Sequence, residues 1–84
     1  MKKISFFHAT WCPPCRYMMK YVIDPLMRKY PNQIEIIDAQ NEPYKADKMN
    51  VSKLPALIFF NGTEEIWRCV GLKSIERLEE FLRD

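Results

Sequence analysis

The sequence predicts a single α/β domain in which helices flank a four-stranded mixed sheet, and two observations lead to this fold class. Short apolar stretches of strand length alternate with segments whose apolar residues recur at helical spacing. Turn-forming residues separate these segments, at Pro31-Asn32 and at Asn61-Gly62. The predicted order is β-α-β-α-β-β-α. A chain of 84 residues, 48% of them hydrophobic, can build one core but not two, so residues 1–84 are assigned to one domain.

The first half of the chain predicts a strand that leads directly into a helix. Residues 3–8 have the length and composition of a short buried strand. Pro13-Pro14 suits a first helical turn, where the N–H groups have no intrahelical partner, so a helix should begin near Cys12. Its apolar face consists of residues at helical spacing: Cys15, Met18, Val22 and Leu26. Because Pro25 removes a helical hydrogen bond, we expect a kink or a restart there, with Asp24 as the cap.

A second strand and a short helix are predicted next. Ile34, Ile36 and Ile37 form an apolar strand that runs to Asp38. Since a helix connects it to the first strand, the two strands should be parallel neighbours. Residues 41–49 predict a short helix, and Asn50 suits the left-handed conformation that ends many helices.

The last part of the chain predicts a hairpin and a final helix. Asn61-Gly62 separates the apolar runs 56–60 and 66–70, and this dipeptide is a strong hairpin signal. Ser74 can cap an amphipathic helix after Gly71. The core face of that helix is predicted to hold Ile75, Leu78, Phe81 and Leu82, and its solvated face Glu76, Arg77, Glu79 and Glu80.

Charge and hydropathy exclude several classes of partner. The net charge is only +2 and no long run of like charges occurs, so we expect no nucleic-acid partner. The apolar stretch near the N-terminus is shorter than the roughly 7–15 residues of a signal peptide. No segment reaches the roughly 18 apolar residues of a membrane span, so we expect no membrane partner. The sequence therefore predicts a cytoplasmic protein.

The three cysteines cannot all pair, and only Cys12 and Cys15 are close enough to act together. Cys12 is predicted at a helix N-terminus, where free N–H groups favour a reactive thiolate. Cys15, one turn later, can reach back and displace a partner bound to Cys12, which is the chemistry of disulfide exchange. The alternative is half of a zinc site. Zinc needs four ligands, and only Cys69 and His8 remain as remote candidates.

The chain resembles the thioredoxin superfamily over essentially its whole length. The resemblance lies in a strand followed by Trp11-Cys12-Pro13-Pro14-Cys15 and a helix, and in Leu54-Pro55 before a third strand. The resemblance implies a thioredoxin-like fold and a protein-disulfide reductase with Cys12 and Cys15 as catalytic residues. It implies substrate contacts by Trp11, Pro13, Pro14, Leu54, Pro55 and Gly71. The expected partners are protein disulfides and an electron donor of the thioredoxin-reductase type. The protein is expected to be a monomer whose only redox group is the Cys12–Cys15 disulfide, with no metal.

Two positions depart from the thioredoxin pattern, because Phe6 and Ile36 stand where the family has a buried aspartate and a lysine. Two interpretations of the nearby His8 stay open: it replaces the missing aspartate as a base, or it is an ordinary hydrogen-bonded histidine. Trp11 is either a contact platform beside Cys12 or a partly buried aromatic, and we favour the platform.

The neighbouring alternative is a glutathione-dependent, glutaredoxin-like reductase. Lys53-Leu54-Pro55 and the turn 71–74 differ from the segments that hold glutathione in that family, which favours protein disulfides as substrates. The family resemblance also predicts a cis peptide before Pro55, against the alternative of an ordinary trans proline that starts a strand.

Overall fold

The computed structural model describes residues 1–83, and within that range the secondary structure follows the predicted order. The strands are β1 (Lys2–His8), β2 (Ile34–Asp38), β3 (Ala56–Asn61) and β4 (Glu64–Val70). The α-helices are α1 (Pro13–Met18), α2 (Asp24–Lys29), α3 (Pro43–Lys48) and α4 (Ile75–Arg83), and a π-helical turn, Met19–Ile23, joins α1 to α2. No helix within residues 1–83 combines the length and the apolar character needed to cross a membrane.

The sheet is mixed, as predicted, with the strand order β2-β1-β3-β4. Strands β1 and β2 are parallel, with Phe6 opposite Ile36. Strands β1 and β3 are antiparallel, with Phe6 opposite Leu57. Strand β4 pairs with β3 in the antiparallel sense and lies at the edge of the sheet. Strand β1 is therefore central, and its carboxyl end leads into the loop that contains Cys12.

The sheet separates two hydrophobic clusters. The larger lies against α1, α2 and α4 and contains Ile4, Phe6, Met18, Val22, Ile23, Leu26, Ile34, Leu57, Phe59, Leu78 and Leu82. The smaller lies on the side of α3 and contains Phe7, Ile37, Ala46, Ala56 and Ile58. Alternate residues of β1 point to opposite clusters, as the two-residue period of a strand requires. The predicted apolar face of the first helix is confirmed, since all four of its residues are buried.

The expected interruption at Pro25 is present, but Asp24 does not cap a restarted helix. The backbone of Asp24 is fully helical, with φ −59° and ψ −46°. The Met19–Ile23 turn is π-helical. Such a wider turn lets a helix continue past a proline, whose nitrogen cannot donate a backbone hydrogen bond. The helical path thus continues from α1 into α2, and the prediction of Asp24 as a cap was wrong.

Several turn predictions are confirmed and others shift by a few residues. Asn50 has φ +57°, the left-handed conformation expected after α3. The Ser74 hydroxyl accepts a hydrogen bond from the Arg77 amide at 3.3 Å, as an N-cap should. The hairpin loop begins one residue late, because Asn61 ends β3 and Gly62, with φ +66°, makes the turn.

Helix α3 begins at Pro43, not at Asn41 as predicted. The Asp38 carboxylate accepts hydrogen bonds from the Asn41 side chain at 2.9 Å and from the Asn41 amide at 3.2 Å. These contacts hold Asn41 in a turn after β2. The helix therefore starts where proline fills its first position.

Candidate active site

The loop between β1 and α1 is held at several points, which fixes where α1 begins. The Cys12 amide donates to the Ala9 carbonyl at 3.2 Å. The Arg16 guanidinium donates to the Thr10 carbonyl at 2.6 Å, and the Thr10 hydroxyl donates to the Gln40 side chain at 2.9 Å. The turn is thereby tied both to the first helix and to the segment after β2.

Cys12 and Cys15 are joined by a disulfide, with their Cα atoms 5.2 Å apart. Cys12 is the N-cap residue of α1, and its sulfur accepts a hydrogen bond from the Cys15 amide at 3.3 Å. The first turn of α1 contains no acidic residue, so nothing there opposes the positive end of the helix. Negative charge on the Cys12 sulfur would be stabilised both by this amide and by the helix dipole.

Both cysteines are buried, but their surroundings differ. Cys12 is 4% exposed and borders the exposed Pro13-Pro14, whereas Cys15 is 1% exposed and faces the core side of α1. A partner that approaches from solvent meets Cys12 first. The predicted division of labour between the two thiols is compatible with this geometry.

An open groove of about 660 Å³ reaches Trp11, the residue before Cys12, and is lined by two of the predicted substrate-contact residues, although by neither cysteine. Trp11 is 67% exposed, so it is not the partly buried aromatic of the alternative interpretation. Leu54, which is half-buried, lines the same groove. The groove therefore presents apolar surface next to the reactive pair.

The remaining predicted contact residues lie close by. The Leu54–Pro55 peptide is cis, as expected, and Pro55 is fully buried. The Gly71 amide donates to the Pro55 carbonyl at 2.8 Å, and Gly71 has φ +100°. This hydrogen bond joins the segment before β3 to the segment after β4, since Pro55 and Gly71 are 16 residues apart in the chain.

Sequence reasoning missed the other apolar residues that line the groove, and Val70, which is 55% exposed, is the most accessible of the large ones. The sequence offered only a weak signal, since Val70 and Leu72 are simply apolar residues on either side of Gly71. Their exposure, 55% and 57%, is known only from the structure.

A second and smaller cleft, of about 240 Å³, lies behind the disulfide and is lined by Cys15 and not by Cys12. Charged or titratable side chains surround it: His8, Arg16, Lys20 and Asp24. The His8 ring lies parallel to the Phe6 ring, with centroids 5.6 Å apart and planes 5° apart. Phe6, which stands where the family pattern has a buried aspartate, is completely buried, so no carboxylate lies at that position.

Cys69 lies apart from the pair, on edge strand β4, where it is half-buried against the larger hydrophobic cluster. Burial raises the pKa of its thiol, and the nearby Lys73 and Arg77 only partly oppose this shift. Within residues 1–83, no three His, Cys, Asp or Glu side chains come together in a group that could hold a metal ion.

Comparison with known proteins places this geometry in a family. The family model described as Thioredoxin matches residues 3–84. The chain is 35% identical to a thioredoxin of Staphylococcus haemolyticus over 82 residues, which are 95% of this chain and 78% of the relative. The chain is 25% identical to mitochondrial thioredoxin 3 of Saccharomyces cerevisiae in its oxidised form, with a TM-score of 0.78 over 98% of this chain and 76% of that one. Reduced Schistosoma mansoni thioredoxin gives 28% identity and a TM-score of 0.80 over the same shares.

Proposed function

The chain belongs to the thioredoxin family and is a thiol–disulfide oxidoreductase that reduces protein disulfides by dithiol exchange, and we propose that Cys12 is the attacking thiol and Cys15 the resolving one. The observation that carries this assignment is the hydrogen bond from the Cys15 amide to the Cys12 sulfur at the start of α1. A thiolate at Cys12, the N-cap residue, accepts this hydrogen bond at the positive end of the helix, whereas Cys15 lies inside the helix.

The reaction then proceeds in two exchanges. The Cys12 thiolate attacks one sulfur of a client disulfide, a Cys12–client bond forms, and the other client sulfur leaves as a thiolate. The Cys15 thiolate next attacks the Cys12 sulfur, which releases the second client thiolate and closes the Cys12–Cys15 disulfide. The client gains two electrons and the protein loses two. Only a reduced donor can return the protein to its starting state.

We propose that the groove beside the disulfide receives the client chain. Trp11 supplies a broad exposed aromatic surface, and Leu54 and Val70 add apolar contacts. The exposed Pro13 and Pro14 would meet the client next to Cys12, and the Leu54–Pro55 and Gly71 segments would border it. Such a surface favours an extended segment of protein over a small polar thiol.

We further propose that a thioredoxin-reductase-type protein supplies the electrons and that the protein works as a cytoplasmic monomer. No nucleic acid, membrane, metal or bound cofactor takes part in this proposal. Its main support is the similarity to thioredoxins over nearly the full chain. Insulin reduction should therefore be rapid with NADPH and a bacterial thioredoxin reductase and slow with glutathione. Faster turnover with glutathione would favour the glutaredoxin-like alternative.

The assignment of roles to the two thiols predicts opposite behaviour of two serine variants. Cys15→Ser should accumulate covalent Cys12–client adducts, because attack does not need the second sulfur but release does. Cys12→Ser should form no adduct, and its reductase activity should fall to background. The measurement is non-reducing electrophoresis after incubation with a disulfide-containing client, followed by dithiothreitol, which should dissolve the adducts.

The same pair of variants separates this function from a zinc-binding module. Removal of either cysteine from a metal site would lower metal affinity and stability alike and would trap nothing. If neither variant formed an adduct and both lost the same stability, the redox assignment would have to be abandoned. A Cys12→Ser variant that forms adducts through Cys15 would reverse the two roles.

A further inference from the structure

The burial of Cys15 raises a question about the second exchange. Cys15 must lose a proton before it can attack, yet it is only 1% exposed, and burial disfavours a charged thiolate. The proton therefore needs an acceptor on a side of Cys15 that communicates with solvent. The groove that contains Trp11 and Leu54 does not include Cys15, so it does not supply that path.

The cleft behind the disulfide does reach Cys15, and it is open to solvent. The end of β1 contributes His8, and the helical segment from α1 to α2 contributes Arg16, Lys20 and Asp24. With a volume of about 240 Å³, the cleft has ample space for water among polar side chains. It thus connects the buried thiol with groups that can exchange protons.

Of these groups, His8 has the chemistry of an acceptor. Lysine and arginine are already protonated at neutral pH, and an ordinary aspartate, with a pKa of about 3.9, is too weak a base. A neutral imidazole carries one basic nitrogen, so it can take a proton and later release it. His8 is half-buried at the carboxyl end of β1, where its ring lies parallel to the buried Phe6 ring.

We propose that His8 accepts the proton of Cys15 during the resolving step, through the cleft that the two residues share. The inference rests on the proposed function.

The proton moves from the Cys15 sulfur to the His8 ring. The electron pair left on that sulfur forms the bond to the Cys12 sulfur, and the Cys12–client bond breaks with its pair on the client sulfur. The imidazolium then returns its proton to solvent, so no further oxidant or reductant is required. Arg16 and Lys20 in the cleft repel the imidazolium, and the carboxylates of Asp24 in the cleft and of Asp38, the residue paired with His8 on β2, offset part of that repulsion.

The two exchanges can be timed separately with dithiodipyridine, a neutral disulfide probe. Attack by Cys12 releases one coloured thiopyridone, and resolution by Cys15 releases the second. Stopped-flow absorbance of the reduced protein, in a Cys69→Ala background, therefore measures both steps in one trace. The variants to compare are His8→Gln, which keeps a polar side chain without a basic nitrogen, and His8→Ala, which leaves space for a small base.

In both variants we expect the second release to slow by about a hundredfold near pH 7, with the first release unchanged within about twofold. Any rise of the second rate with pH that depends on the imidazole should disappear in both variants. Added imidazole should accelerate the second release in His8→Ala but not in His8→Gln, an effect that a merely structural role would not produce.

Three results would overturn the inference: an unchanged second release in His8→Gln, an equal slowing of both releases, or no response of a slowed His8→Ala to imidazole. A failure of the proposed function would look different, because the unsubstituted protein would then fail to reduce insulin and Cys15→Ser would trap no client, whatever the two release rates. Circular dichroism of each variant, recorded beside the kinetics, verifies that the first release comes from folded protein.

Discussion

The three cysteines occupy three different environments, and their expected reactivities follow from these. Cys12 caps a helix and receives an amide hydrogen bond, and Cys15 is buried one turn further along. Cys69 lies on edge strand β4, half-buried against the larger hydrophobic cluster. Because no other cysteine remains to pair with it, Cys69 should act as a small apolar residue with an unreactive thiol.

Burial raises the pKa of the Cys69 thiol, so at neutral pH this group should be protonated and slow to react. In the oxidised protein, iodoacetamide should label Cys69 much more slowly than it labels the same residue in urea. Cys69→Ala should keep insulin reduction within about twofold of the unsubstituted protein, since such distant substitutions usually have small effects. A large loss of turnover would mean that Cys69 is a third redox centre or a metal ligand.

At the scale of elements, a polar cluster ties the last helix to the end of α2. The Glu79 carboxylate pairs with the Lys29 ammonium and accepts a hydrogen bond from the Tyr30 hydroxyl at 3.1 Å. The sequence had placed Glu79 on the solvated face of α4, and its side chain is still 25% exposed there, but the contact with Lys29 was not predicted. Its partners are about 50 positions earlier in the chain, where no helical period could indicate them.

The hydrogen bond from Lys29, and then that from Tyr30, lowers the pKa of the Glu79 carboxyl below its ordinary value. A lowered pKa in the folded state adds stability above the unfolded pKa of about 4.3, and this stability is lost as the pH falls through the folded value. Glu79→Gln should therefore lower Tm at pH 7 by a few degrees, and the difference should vanish in acid.

Glu80→Gln is the matched control for that measurement. Glu80 is the next residue of α4 and is exposed, so the same chemical change should leave Tm nearly unchanged. Thermal melts of both variants from pH 3 to pH 7 test the assignment. Equal effects of the two substitutions would mean that the cluster does not hold α4.

For the molecule as a whole, stability depends on the larger hydrophobic cluster, and Phe6 is at its centre. Phe6 is fully buried on the central strand, opposite Ile36 on one side and Leu57 on the other. A small domain has a free energy of unfolding near the lower end of about 5–15 kcal/mol. The loss of one large core side chain is therefore a substantial fraction of the total.

Phe6→Ala should lower the free energy of unfolding by about 3–5 kcal/mol, because the surrounding structure cannot fully close the cavity. Ile66→Ala, a smaller removal of apolar atoms from edge strand β4, should cost about 0.5 kcal/mol or less, since Ile66 is 47% exposed. Urea unfolding at pH 7 measures both. Similar losses for the two variants would contradict the position assigned to the core.

The sequence by itself determined the features that depend on neighbouring residues. Pro13-Pro14 set the start of the helix at Cys12, Asn50 supplied the left-handed residue after α3, and Ser74 capped α4. The period of apolar residues separated strands from helices, and the spacing of Cys12 and Cys15 indicated the chemistry. Each of these signals acts over about four residues or fewer, a range within which the backbone geometry is already fixed by residue type.

Only the tertiary structure decided which distant side chains meet. It placed Val70 beside Trp11 in the groove, joined Glu79 to Lys29, and kept Asp24 inside the helix by means of a π-helical turn. It also brought His8 to the same cleft as Cys15. These contacts depend on how the helices pack across the sheet. Packing is set by the sum of many weak contacts over the whole core, so no short stretch of sequence contains the information that fixes it.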